Sequence, residues 1–596
     1  MYQQTYYVDK RTGTFADVFL AYGLATLLDS VLDRFVEGDH WVRIRDCGPY
    51  YAIELSHRMQ EEWVNQAPLR ALAPYIRTGW EEPGDLEGLP ASALIDYPEE
   101  RDRFLRYIHN VRETMPQEEL AKVKPHPRFP ILAWVVEPRM QALGSYNKLI
   151  LRWQKMDRHF TENLRHILML CATPDGDVEA IESAWRKRMK EMGGESKSEA
   201  TLLQLFNPSQ GKGQNEPKAS RLEMGNIKSF WLLEYLKAVG MYHCAVPRRV
   251  QGTDDRKTYA LAPVNMRLGA NDAVLAAFQE ALWNDTAERL KRRKRPPRRL
   301  AAFQEALWSD TAVRMDILSA LRYTRCFLEW CEAGRGQDLL AELLGQGPEN
   351  FVAGMYVAYY KSLGRASAVM NLSFIELPRW MRVQSPDDVQ TYKGVIEEHE
   401  NIIRNIDEER GGYDLLVYYR DFLSGGKWEA FFDFAAAYAS FLMRELDRGH
   451  YRVRPFTIHN LEVLIMKSNE PLTPILETPG FRNIAEAIRR STIIPQYRGR
   501  GESEYDIRYG LGQELKRKAL YNDEFIAALS EFMQSYNAEN ARVYEKTGKQ
   551  YRKNILTNDV EDIVRLVDKY GATTVGNLLI AFGYAREPRE EEEEQK

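Results

Sequence analysis

The chain has 596 residues, 44% hydrophobic and 11% aromatic, which is enough apolar material for several cores and excludes global disorder. A net charge of −5 excludes a general basic field, so any nucleic-acid surface must be local. Five scattered cysteines (Cys47, Cys171, Cys244, Cys326, Cys331) exclude a disulfide scaffold and point to a reducing, cytoplasmic setting.

The opening "MYQQTYYVDKRTG" lacks the apolar stretch of a signal peptide, and no run of about 18 apolar residues predicts a membrane span. "TFADVFLAYGLATLLDSVLDRF" places Phe15, Val18, Phe19, Tyr22, Leu27, Leu28, Val31 and Leu32 at helical spacing. "HWVRIRDCGPYYAIELS" then alternates with period two around a turn at Asp46–Pro49, which predicts a hairpin. Prolines in "KVKPHPRFP" forbid helix there, and one long helix is expected over 144–172. "FNPSQGKGQNEPKAS" has no apolar period and is read as a linker or loop. "SFWLLEYLKAVGM" predicts a helix ending near Gly240, and "YHCAVPRRVQGTDDRKTYALAPV" a second hairpin.

"LAAFQEALWNDTA" at 275–287 returns at 300–312 with only Asn284 replaced by Ser309. Two copies do not make a solenoid, which needs at least three units to bury its faces. The second copy runs into "VRMDILSALRYTRCFLEW" and is read as the start of a core helix. The first is read as a local duplication whose extra length projects as a basic loop at 288–299. Beyond it the chain is almost wholly helical. In "NDVEDIVRLVDKYG", the last strong helix by this reading, Asn558 is the expected cap, Glu561 its capping-box partner and Gly571 the stop. The fold class is therefore an α+β N-terminal half, helices with short antiparallel hairpins, followed by an all-α helical-bundle C-terminal half. The expected segments are an α+β domain at 1–205, a linker at 206–220, a middle region at 221–410, a helical bundle at 411–586 and an acidic tail at 587–596.

Three basic groups could neutralise phosphates. Lys291, Arg292, Arg293, Lys294, Arg295, Arg298 and Arg299 form a dense string between the two copies. Arg489, Arg490, Arg498, Arg500, Arg508, Lys516, Arg517 and Lys518 are interleaved with Tyr497, Tyr505 and Tyr509, and Arg552 and Lys553 could join them. Arginine beside stacking aromatics suits a single-strand groove, and the alternative is a loop laced with ion pairs. Arg248 and Arg249 lie on the second hairpin, where paired arginines also serve solubility. His159, Glu162 and His166 share one side of a helix but lack a fourth ligand and are crowded by Lys155, Arg158 and Arg165, so no metal and no cofactor is assigned. Phosphate-loop, zincin, nucleophile-elbow and dinucleotide motifs are absent, and no catalytic residue is singled out.

The order of these features resembles the large subunit of a type I CRISPR surveillance complex (Cascade). The likeness is carried by the opening "TFADVFLAYGLATLLDSVLD", by "SFWLLEYLKAVGM" with its hairpin, and by the helical C-terminal region. The closing "RKNILTNDVEDIVRLVDKYGATTVGNLLIAFGYAR" is similar to the small helical subunit that some large subunits carry fused. The resemblance implies a non-catalytic subunit in antiviral defence. It would contact the 5′ end of a guide RNA, a protospacer-adjacent motif on target DNA and the displaced strand. Its partners would be the other backbone subunits and a recruited helicase-nuclease that cuts. The duplicated word and its basic insert have no counterpart in that family. A helical scaffold protein is the competing expectation, and a metal-dependent nuclease using His159, Glu162 and His166 a third.

Overall fold

The computed structural model describes residues 1–81, 86, 89–209, 228–291, 310–333, 337–468, 470–498 and 505–587. Two units emerge: Met1–Ala312 with Glu349–Ile375, and Val313–Pro348 with Glu376–Lys596. The first is α+β and the second is predominantly helical.

In the first unit, α1 (Phe15–Phe35) starts where the Thr14 hydroxyl accepts from the backbone N–H of Ala16. Its partner α2 (Trp231–Cys244) crosses it almost backbone to backbone. A Cβ on Gly23 would lie 1.9 Å from the Leu236 carbonyl oxygen, and one on Gly240 would lie 1.8 Å from that of Phe19. Residue 19 faces 240 and 23 faces 236, so the helices run antiparallel. Gly240, expected to end its helix, is instead the crossing point, and α2 continues to Cys244. α1 has the length and mean hydropathy (1.6) to cross a membrane, but it is a core helix with 78% of its apolar window buried.

Two four-stranded sheets frame this pair. β1 (Thr5–Asp9), β2 (Val42–Asp46), β3 (Tyr50–Leu55) and a short strand at Asn265–Arg267 form the first, in the order β1-β3-β2 and then the short strand. Ile44 pairs with Ile53, as the period-two pattern requires. The second sheet contains the other expected hairpin, β4 (Ala245–Arg249) with β5 (Arg256–Pro263). It is extended by β6 (Val352–Ser362) and β7 (Ser367–Glu376) in the order β7-β6-β5-β4.

The long helix expected over 144–172 is broken. Helices span Leu143–Gln154 and Phe160–Leu170, separated by a tight turn at Asp157–His159. The break turns Phe160 back so that its ring meets Trp153 edge-on at 5.5 Å, and Met156 between them is buried. The first copy of the repeated word is not surplus either. It lies within α3 (Leu268–Lys291), where Leu275, Phe278, Leu282 and Trp283 are buried. Trp283 packs 5.7 Å from both Phe104 and Tyr107. Only the last three residues of the second copy are among those described. α4 (Ala312–Glu332) begins at its final alanine.

The second unit is organised around an aromatic cluster and a charged centre. His399, on α5 (Pro386–Arg404), is buried among Trp380, Tyr419, Phe431 and Phe456, with Nδ1 2.6 Å from the Tyr419 hydroxyl. One residue on, buried Glu400 meets Arg325 at 2.8 Å, Arg322 at 3.5 Å and Arg404 at 3.7 Å, which ties α4 to α5. At the C-terminal end, α6 (Pro479–Ser491), α7 (Leu511–Lys518), α8 (Asn522–Thr547), α9 (Thr557–Tyr570) and α10 (Ala572–Gly583) pack together. The expected cap Asn558 and box partner Glu561 are corrected here. The backbone N–H of Leu556 is taken by Asp559 (2.8 Å), whose carboxylate also accepts from Asn483 (2.8 Å). Tertiary anchoring of Asp559 therefore starts the helix at Thr557. Gly571 does end α9, at φ 82°, and a further buried helix, α10, follows it.

Gly240→Ala puts a methyl group into the Phe19 carbonyl, and overpacking of this kind costs about 1–3 kcal/mol or more. Calorimetry should show a lowered melting transition for the first unit, whereas Gly269→Ala, where a Cβ meets nothing, should not lower it. Burial also lowers the His399 imidazole to about 3. Below an unfolded pKa of about 6.5 the unfolded chain binds a proton that the fold refuses, so stability falls as pH drops from about 6.5 towards 3, by at most about 1.4 kcal/mol per pH unit. Neighbouring Glu398, raised to about 7, acts in the opposite direction, because its contribution is lost as pH rises. Unfolding of wild type and His399→Leu should therefore differ in acid slope, and identical slopes would refute the assignment.

Candidate nucleic-acid interface

The expected phosphate-binding residues fall into three structural classes. Arg292, Arg293, Lys294, Arg295, Arg298, Arg299 and Arg500 lie outside the described residues, as do the side chains of Lys291 and Arg498.

A second class is taken up by the fold. Arg552 is sandwiched over Tyr505 (3.4 Å to the ring centre) and Tyr536 (5.6 Å). Its guanidinium meets the buried Glu539 carboxylate at 3.3 Å and donates to the Arg490 carbonyl. The same Glu539 accepts from the backbone N–H of Asp506 (2.7 Å) and lies 3.6 Å from Arg508. Arg508 in turn covers the Phe532 ring at 5.5 Å and donates to the Ser535 hydroxyl. Glu539 thus clamps the segment after 504 onto α8. Burial lowers the Arg552 guanidinium pKa and Glu539 opposes that shift. Arg489 is buried, bonded to the Phe582 carbonyl (3.3 Å) and to Glu587 (3.2 Å). Arg248 and Arg249 lie on a strand whose five residues are all buried, and Arg249 pairs with Asp254 at 2.7 Å. These groups present little surface to a ligand.

The third class faces outward. Arg517 is exposed. Lys516 pairs with Asp433 (3.1 Å) and Lys518 with Glu524 (2.8 Å), both of them partly accessible. Arg490 is half-exposed against Glu486 and donates to the Tyr551 carbonyl (3.1 Å). Lys553 is exposed and reaches Asn483 (3.0 Å). These last two bonds hold the middle of the 548–556 loop along α6, from Asn483 to Arg490.

Beside them is a surface that motif reading missed. The last turns of α8 and the following loop expose Arg542, Tyr544, Lys546, Lys549 and Tyr551, with Tyr544 55% and Tyr551 52% accessible. Glu545 is the one acid between Arg542 and Lys553. The signal for it is helical projection. Phe525, Leu529, Phe532, Tyr536, Asn540 and Val543 form the buried stripe of α8, and this places Arg542 and Lys546, four residues apart, on the outer side. Flat aromatic rings among lysines can stack bases and neutralise a backbone.

Two of the three candidate metal ligands are engaged within the chain. Glu162 is paired with Arg165 (2.7 Å) and Arg188 (3.5 Å), and His166 Nδ1 is 2.7 Å from the Glu162 carbonyl, so these side chains serve the fold. No cluster of three metal-ligating side chains occurs among the described residues. All five cysteines are free, and four of them are buried. A cleft of about 440 Å³ in the first unit sets Arg11, Lys228 and Lys237 against Asp9, Asp17, Glu179 and Glu182, three bases against four acids. Beneath it, buried Glu234 is held by Lys237 (2.7 Å) and Asn207 (2.8 Å).

Compared with known proteins, the chain matches no family model and no curated sequence.

Glu539→Ala should lower the stability of the helical unit by about 3 kcal/mol, because it leaves two guanidinium groups without their carboxylate. Urea unfolding followed by tyrosine fluorescence reads this loss. An unchanged midpoint would mean that the clamp contributes nothing.

Proposed function

We propose that the chain is a non-catalytic nucleic-acid-binding subunit of an RNA-guided, DNA-targeting surveillance complex of the type I CRISPR kind. It holds the guide RNA 5′ end, meets the protospacer-adjacent duplex and steadies the displaced strand. Cleavage belongs to a recruited helicase-nuclease. The observation that supports this reading is the outward surface of Arg542, Tyr544, Lys546, Lys549, Tyr551 and Lys553. There, positive charge and stacking rings are exposed together on a chain that is acidic overall. Contacts of this kind position a backbone without reading its sequence, which suits a protein whose specificity is delegated to base pairing. The basic string Lys291–Arg299 would add backbone contacts from the other unit.

The chain purified from its host in mild salt should carry short RNAs with a common 5′ handle, together with backbone subunits. Clean protein with unrelated partners would favour the scaffold reading. On single-stranded DNA, removing one cation that neutralises a phosphate flattens the plot of log affinity against log salt by about 0.7. The triple variant Lys546→Ala, Lys549→Ala, Lys553→Ala should therefore flatten it by about 2, and an unchanged slope would remove this surface from the proposal.

A further inference from the structure

A second basic surface lies on the helical unit, at a turn that no sequence motif marks. The helix Trp428–Asp447 runs out into "RELDRGHYRVR", residues 444–454, which sets four arginines and His450 against Glu445 and Asp447. Arg444, Arg448, His450, Tyr451, Arg452 and Arg454 are all exposed, Tyr451 at 60%. Two of these side chains serve the helix end. Arg448 (2.8 Å) and His450 (2.7 Å) share the Glu445 carboxylate, and Arg448 complements the helix dipole there. Arg452 and Arg454 lie beyond the last turn, and no acid among the described residues pairs with either guanidinium.

The backbone that carries them is tied down at both ends. Gly449, at φ 78°, closes the helix, and the His450 N–H donates back to the Glu445 carbonyl (2.9 Å). Val453 is buried between the two exposed arginines, and the Tyr438 hydroxyl donates to the Arg454 carbonyl (2.6 Å).

One short segment joins this turn to the 542–553 surface. At its start Tyr505 lies under the Arg552 guanidinium, in the loop that carries Tyr551 and Lys553. Four residues on, the Tyr509 hydroxyl lies 3.4 Å from the carboxylate of Asp447, the last residue of the helix that leads into the turn. Four residues of chain span at most about 14 Å, so the two surfaces stand at the ends of a short bridge. Tyr509 is 41% accessible, and Asp506 is exposed on the same segment. Exposed rings therefore follow one another from Tyr551 through Tyr509 to Tyr451, with cations beside the first and the last.

We propose that one unpaired strand of nucleic acid is bound across both surfaces. Its phosphates lie on Arg452 and Arg454 at one end and on Lys549 and Lys553 at the other, and its bases lie against Tyr451, Tyr509 and Tyr551. This rests on the reading of the chain as a nucleic-acid-binding subunit and extends it from a patch to a track. A duplex offers its backbone but keeps its bases stacked away from protein rings, so exposed tyrosines beside free guanidinium groups select a single strand. An acidic protein segment would satisfy the charges and leave the rings unused. Backbone charge and base faces are common to DNA and RNA.

The full chain is titrated, over a range of salt, with fluorescent oligo-dT and oligo-U of about 30 nucleotides, longer than a single site. One strand should bind per chain. Arg452→Ala combined with Arg454→Ala should flatten the plot of log affinity against log salt by about 1.4, at about 0.7 per phosphate contact. The melting curve should not change, because both side chains are exposed. Tyr451→Ala should weaken binding about five-fold or more at an unchanged slope. Tighter binding of oligo-dT assigns the track to DNA, and tighter binding of oligo-U assigns it to RNA. A wild-type chain that binds neither strand would remove the nucleic-acid reading and the track with it. The track alone would be overturned by a slope that falls in the triple lysine variant but not in the double arginine variant. Two strands bound per chain, or polyglutamate bound as tightly as the strands, would overturn it as well.

Discussion

The first unit depends on a backbone approach that only glycine permits. Where α1 crosses α2, each helix offers a carbonyl to the hydrogen-only face of the other, and the two strict positions, Gly23 and Gly240, are reciprocal. Glycine inside a helix costs about 1 kcal/mol relative to alanine, so two of them in long apolar helices would weaken each helix taken alone. The crossing offsets that cost by bringing two apolar helices closer than side chains would allow. The two sheets are laid out around this pair, and the first hairpin and the cleft lined by Lys237 take their positions from it. The burial of α1 has the same origin. Its hydropathy is that of a membrane helix, but its surroundings are those of a core.

A few buried carboxylates gather basic partners around them. Glu400 gathers Arg322, Arg325 and Arg404; Glu539 gathers Arg508 and Arg552; Glu234 holds Lys237. Buried ion pairs of this kind add little net stability relative to apolar packing, but leaving one member behind is strongly unfavourable. They therefore act as constraints that admit one arrangement of the helices they join. By contrast, Arg542, Lys546, Lys549 and Lys553 face solvent with one acid among them.

This is also where sequence reading reached its limit. Periodicity identified α1, both hairpins and the helical character of the second unit, because those elements bury one face and the face is visible in the order of residues. It failed at 144–172, where Trp153, Met156 and Phe160 keep helical spacing although the chain breaks between them to fold one ring onto another. It failed at the last cap, where Asp559 is aimed by Asn483 from a helix more than 70 residues earlier. In the candidate site, arginine interleaved with tyrosine was read as the chemistry of a single-strand groove. The partner of Arg552 is nevertheless Tyr505 and Tyr536 of its own chain, and composition does not distinguish an internal stack from a ligand-binding one. Projecting the buried stripe of α8 brings out Arg542 and Lys546, but Tyr544 falls on the continuation of that stripe and Tyr551 lies in the loop beyond the helix, so their exposure is seen only in the fold.

The second sheet has one more property, which concerns time. β6 pairs with β5 across nearly a hundred residues, Val357 with Tyr259, and the intervening chain contributes α4 and its neighbours to the other unit before returning. As the polypeptide leaves the ribosome, β4 and β5 emerge with one side of their sheet unmatched, and that side stays open until residues beyond 376 have been made. Closing so long a loop is slow, and an open strand edge is prone to association meanwhile. The two units are therefore coupled in folding order whatever their arrangement in space. A truncation after the duplicated word would leave the first unit with half of its second sheet and the larger part of its apolar core already formed.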